Sequence, residues 1–99
     1  MRRSEALRIL SEQRPDLATR FHVQSLGIFG STARDEAHAG SDVDVLVEFA
    51  PNASVSLFDF VRLQRHLEAL LGSRVDLVEM AALKPQLRER VLRELVRAA

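Results

Sequence analysis

Gly30-Ser31, followed ten residues later by Asp42-Val43-Asp44, and Asp76 within Val75-Asp76-Leu77-Val78, are the residues whose types and spacing could do chemistry. An aspartate between aliphatic strand formers is a poor strand residue that must face solvent or meet a partner. Side chains two apart on a strand share one face with Cα atoms roughly 6.5 to 7 Å apart, so Asp42 and Asp44 can lean together on divalent ions. Hard oxygen ligands suit Mg²⁺, which keeps several waters and completes its shell with substrate phosphates, so the implied ligand is a nucleoside triphosphate. Gly30 lets a ligand approach the backbone without a Cβ in the way. The free N–H groups of the following turn, with the Ser31 hydroxyl, make an anion site. Each residue also has a plainer role. The acids can be solvent-facing and balanced by arginines, Ser31 can be a helix N-cap, and Arg34 can reach the phosphates or hold the acidic loop by an ion pair. Chance alone places Gly-Ser, ten residues, Asp-x-Asp in a chain of this length roughly once in a thousand.

The elements that must position these residues follow from periodicity. Residues 4–13 carry Ala6, Leu7, Ile9 and Leu10 on one side of a helix expected to stop before Pro15, with 15–20 a further turn or a loop. Val23, Leu26, Ile28 and Phe29 form a β-prone run ending at Gly30-Ser31, after which 32–37 reads as a brief helix. Residues 42–49 read as a strand with Val43, Val45, Val47 and Phe49 on one face and the two acids on the other. Ser56 with Asp59 starts a helix bearing Leu57, Phe60, Val61, Leu67, Leu70 and Leu71 and ending at Gly72. Residues 74–78 are a third strand, and Lys84-Pro85 begins a last helix whose Leu83, Leu87, Val91 and Leu95 are expected to face the core. The stretch 49–56 can hide an edge strand or a bulge. This order predicts an α/β (α+β) fold, a small mixed sheet of three or slightly more strands backed by helices, in one domain over residues 1–99.

Composition narrows the function. The 99 residues contain no cysteine, which excludes a disulfide framework, a thiolate zinc site and a thiol nucleophile. Fourteen basic against fourteen acidic residues give a formal net charge of zero, without the basic footprint of a nucleic-acid binder. No apolar run approaches the ~20 residues needed to span a bilayer, so a cytoplasmic location is expected. His22, His38 and His66 lack metal-ligand spacing. Arg88, Arg90, Arg93 and Arg97 read as a solvated helix face or a partner contact.

Gly30-Ser31, Ala33-Arg34, the 40–47 stretch and the 74–78 strand together resemble the minimal nucleotidyltransferases, small members of the DNA polymerase β-like superfamily, and the resemblance runs over almost the whole chain. It implies the polymerase β-like nucleotidyltransferase fold. It also implies an antitoxin that transfers AMP from ATP to a tyrosine of a HEPN-type ribonuclease toxin, alone or in a homo- or hetero-oligomer. Asp42 and Asp44 would bind two Mg²⁺ ions, Asp76 would be the third carboxylate and take the acceptor proton, and Gly30 and Ser31 would hold the triphosphate. Asp35 departs from the family, which usually has Gly there, and either weakens phosphate binding by its charge or faces solvent. Two other functions stay open: an antitoxin that neutralises its partner by binding alone, and a nucleotidyltransferase acting on a small molecule or an RNA end. Against RNA, the chain offers no basic, aromatic-lined groove.

Overall fold

The computed structural model describes residues 1–98. Its elements are α1 (Arg3–Phe21), β1 (Val23–Phe29), α2 (Gly30–Ala33), β2 (Val43–Phe49), α3 (Leu57–Leu71), β3 (Val75–Glu79), a 3₁₀ turn (Met80–Ala82), α4 (Pro85–Glu94) and β4 (Val96–Arg97). The strands form one mixed sheet in the order β3-β2-β1-β4, with β1 antiparallel to both neighbours and β2 parallel to β3 through the α3 crossover. The α+β expectation holds, with a fourth strand added at the end.

Period-two alternation divides the sheet into two faces. Ile28 stands opposite Val45 and Leu26 opposite Val47, while Val43 and Val45 stand opposite Val75 and Leu77. This face packs against Ala6, Leu10, Leu17 and Phe21 of α1 and Leu63, Leu67 and Leu71 of α3 to form the main core. The other face carries Phe29, Asp44, Leu46 and Asp76, with α4 beside it. The packing of α1 and α3 thus lies behind the acids.

α1 is longer than the sequence predicts. It runs through Pro15 and ends at His22, whose left-handed backbone (φ 60°) lets its N–H reach the Leu17 carbonyl. A proline inside a helix costs about 3 kcal/mol through its missing donor and ring clash. Burial of Leu17 at 0% and Phe21 at 9% exposure continues the Ala6 and Leu10 stripe and contributes roughly 1.5 to 3 kcal/mol per side chain, enough to carry the helix across.

α3 begins and ends as expected. Ser56 and Asp59 form a reciprocal capping box and Gly72 takes the left-handed C-cap. Leu57, one of the helix's periodic apolar residues, is however 77% exposed, and the neighbouring Phe58 is 84% exposed. Phe49 ends β2, and the rest of the segment, 50–56, holds a turn closed by Ala53 N–H on Ala50 O and no strand among the described residues. α4 stops at Glu94 because Val96 and Arg97 pair with Ile28 and Gly27. Of the four α4-region residues expected in the core, only Val91 is fully buried, and Leu87 is half-exposed.

Since the helix already exists around Pro15, Pro15→Ala should restore a donor to it and lose only the smaller benefit of a stiff unfolded chain. Urea denaturation should show unfolding free energy raised by ~1–2 kcal/mol. An unchanged or lower value would mean the proline is accommodated without cost.

Candidate active site

The site is built at the end of β1 and the start of β2. β1 finishes at Phe29, directly opposite Asp44, and the chain turns at Gly30 into the four-residue α2. Gly30 sits at φ 69°, and a Cβ there would collide with Asp44 Oδ2. Glycine is therefore needed twice over, for the left-handed backbone and for the close approach of an acid. Asp42 precedes β2, and its Oδ1 lies 3.2 Å from Arg74 Nε. Asp76, on β3, stands in register with Asp44 on the neighbouring parallel strand, at the strand spacing of about 4.8 Å. β3 is itself pinned by α3. Val75 donates its N–H to Glu68 at 3.0 Å and accepts from Gln64 Nε2 at 2.8 Å.

Asp42, Asp44 and Asp76 are thus brought together, and the electrostatics register it. The Asp44 carboxyl is pushed above its ordinary 3.8, first by burial, then by the charges of Asp76 and Asp42, with Glu94 adding to the effect and Arg34 opposing it. Among the described residues neither Asp44 nor Asp76 has a hydrogen-bond or ion-pair partner, so their oxygens are available. No three His, Asp or Glu side chains among the described residues close into a metal cage of their own. Exposed hard oxygens with an incomplete cage fit Mg²⁺, which takes its remaining ligands from water and substrate phosphate.

Gly30, Ser31 and Asp44 line a cavity of about 390 Å³ whose other wall is α4, through Leu87, Arg90, Val91 and Glu94. Arg34 lines it too, in ion pairs with Glu94 at 2.9 Å and Glu36 at 3.1 Å. The α4 residues are the part of the site that sequence reasoning missed. Leu87, Arg90 or Val91, and Glu94 recur at helical spacing on one face, a signal indistinguishable from an ordinary core stripe. Asp35 turns away. Its backbone is left-handed (φ 60°), and its carboxylate accepts the Arg3 N–H at 3.0 Å, at the start of α1. An apolar hollow of about 460 Å³ between the start of α3 and the β3 edge, lined by Leu57, Phe60, Leu77 and Val78, holds none of the three acids.

Residues 10–98 match the family model of the nucleotidyltransferase domain. The chain belongs to the nucleotidyltransferase family. It is 48% identical over 88 residues to the protein adenylyltransferase MntA of Thermococcus cleftensis, an alignment covering 89% of this chain and 87% of that one. A solved chain assigned as a minimal nucleotidyltransferase is 44% identical and superposes with a TM-score of 0.78, covering 97% of this chain and 95% of that one. The fold also matches that found in a complex of a tri-AMPylated Shewanella oneidensis HEPN toxin with MNT antitoxin, at a TM-score of 0.66 and 20% identity over 94% of this chain and 71% of that chain. Among the described residues no helix is long and apolar enough to cross a membrane.

A carboxyl whose folded pKa is raised favours the fold when protonated, and that contribution is lost as pH rises through the folded value. Asp44→Asn should therefore raise the melting temperature at pH 7, and its advantage should shrink as pH falls through the raised folded value, where wild-type Asp44 takes up its own proton, and be gone below the ordinary 3.8. A melting temperature unchanged or lowered at pH 7 would refute the repulsion. Gly30→Ala should lower the melting temperature, and less so in an Asp44→Ala background, where only the backbone strain of about 1–2 kcal/mol remains. Equal losses in both backgrounds would show that Gly30 and Asp44 are not in steric contact.

Proposed function

We propose that this chain is a Mg²⁺-dependent protein adenylyltransferase that transfers AMP from ATP to a tyrosine hydroxyl of a HEPN-type toxin, and so acts as its antitoxin. The observation that carries the reading is the set of three mutually repelling carboxylates, Asp42, Asp44 and Asp76, against a glycine turn that no side chain blocks. The 48% identity to a protein adenylyltransferase supports the nucleotide and the class of acceptor. Likeness to the antitoxin fold supports the partner.

Two Mg²⁺ ions held by Asp42, Asp44 and Asp76 would supply charge stabilisation for the attacking and leaving oxygens. The chain's own residues do the rest. Asp44, half-buried behind Gly30, would hold a metal ion beside the turn where the phosphates bind. Gly30 admits the phosphates to the backbone, where the N–H groups of the turn and the Ser31 hydroxyl hold them. Asp76, exposed at its strand position, faces the incoming acceptor and takes the proton of the tyrosine hydroxyl. The tyrosine oxygen forms a bond to the α-phosphorus as the bond to the β-phosphate oxygen breaks, and pyrophosphate leaves. Arg74, paired with Asp42, limits the repulsion without occupying Asp44 or Asp76.

Co-expression with a cognate HEPN-type toxin should add one or more AMP masses to the toxin's intact mass. Asp44→Asn should reduce the modification at least ~100-fold, with Asp42→Asn and Asp76→Asn also strongly impaired. EDTA should abolish transfer and Mg²⁺ restore it. A partner left unmodified by wild type, yet neutralised by wild type and Asp44→Asn alike, would overturn the transferase reading in favour of an antitoxin acting by binding.

A further inference from the structure

Of the two arginines lining the cavity, only one has its charge to spare. Arg34 faces two carboxylates, Glu36 and Glu94, so its positive charge is already more than balanced before any ligand arrives. Glu94 and Asp44 add negative charge to the same lining, and no lysine contributes to it. A nucleoside triphosphate entering this space brings several further negative charges. Arg90 lines the cavity from α4, and among the described residues it joins no ion pair. It is also placed differently from its neighbour Arg88, which lines a separate hollow beside Phe49 and Met80.

We propose that Arg90 is the cation that binds the distal phosphates of the nucleoside triphosphate, across the cavity from Asp44. The inference rests on the nucleotide reading above and deepens it by naming a residue that determines recognition of a triphosphate. The phosphate chain is held on the sheet side by the Gly30-Ser31 turn, with the α-phosphate nearest Asp44. The β- and γ-phosphates extend towards α4, where a guanidinium can donate two hydrogen bonds to one phosphate. Leu87 and Val91 flank Arg90 on this wall, and Glu94, further along the same helix, is already paired with Arg34, so Arg90 is the charge the wall has to spare. Because Arg90 is exposed and in no ion pair among the described residues, removing it disturbs no packing.

Calorimetric titration of ATP, ADP and AMP, each with Mg²⁺, into the wild type, Arg90→Ala, Arg90→Lys and Arg88→Ala tests this directly. Arg90→Ala should weaken ATP binding roughly ten- to a hundredfold while changing AMP binding by less than about twofold. Arg90→Lys should regain part of the ATP affinity, since it keeps the charge but loses the fork. Arg88→Ala should bind all three as wild type does, and all variants should melt with wild type. If Arg90→Ala binds ATP as tightly as wild type, or loses ATP and AMP by the same factor, the proposal falls while the nucleotide reading stands. If wild type itself does not bind ATP with Mg²⁺, both fall together.

Discussion

Repulsion among Asp42, Asp44 and Asp76 is the constraint around which this small structure is arranged. Three like charges do not assemble spontaneously, so the geometry that gathers them must be enforced by interactions elsewhere. Two of the acids, Asp42 just before β2 and Asp44 within it, are fixed by their spacing along the chain. The third is fixed by the parallel register that sets Asp76 beside Asp44. The stabilising burial sits on the opposite face, where α1 and α3 cover the valines and leucines that alternate with the acids. Period two thus couples the two faces: each residue that packs the core obliges its neighbour to point at the site. A local conflict tolerated at one place and offset by consistent packing everywhere else is the expected signature of a functional site.

Parallel pairing makes a further demand, because β2 and β3 can be joined only by a crossover. α3 provides it, and its polar side chains do a second job at the sheet edge. Glu68 and Gln64 take up the N–H and carbonyl of Val75, the residue before Asp76. β3 is an edge strand, and these two bonds satisfy its backbone at the residue next to the outermost acid. β4 fixes the other side in a similar way. By pairing with Gly27 and Ile28 it anchors the end of α4, and so places Glu94 against Arg34 and Arg90 on the cavity wall.

What the sequence reveals here depends on the range of the interaction involved. The acids on β2, the Gly30 turn, the Ser56 capping box and the Gly72 cap are legible because each is a contact among residues close in the chain. The Asp44 and Asp76 partnership is legible only as two acids on two apolar strands, since register is not written in either strand alone. Pro15 misleads because its cost is local and visible, while the burial of Leu17 and Phe21 that outweighs it is tertiary. The two-residue β4 is too short for any periodicity, and the helical spacing through Leu95 masks it. Leu57 and Leu87 fit their helical stripes, yet one lies beside an apolar hollow and the other over the active-site cavity, and spacing cannot tell a packed neighbour from an empty one. Arg34 offers a choice between phosphate and carboxylate that depends on Glu94, sixty residues away in the chain.

Asp35 shows how a departure from a family pattern is absorbed. The position needs a left-handed backbone, which is why glycine suits it, and aspartate is among the few other residues that tolerate φ near 60°. A carboxylate added beside a phosphate site would be expected to repel the ligand. This one points instead at the first turn of α1, where backbone N–H groups lack intrahelical partners and the helix dipole favours negative charge. α1 has no side-chain cap from its own N-cap residue, Arg2, and Asp35 supplies the missing acceptor from across the fold. Arg3 returns the contact by donating to the Ala33 carbonyl at 3.3 Å. The turn that begins at Gly30 against Asp44 is therefore tied at its far end to the first helix, and the extra charge serves the scaffold without entering the cavity.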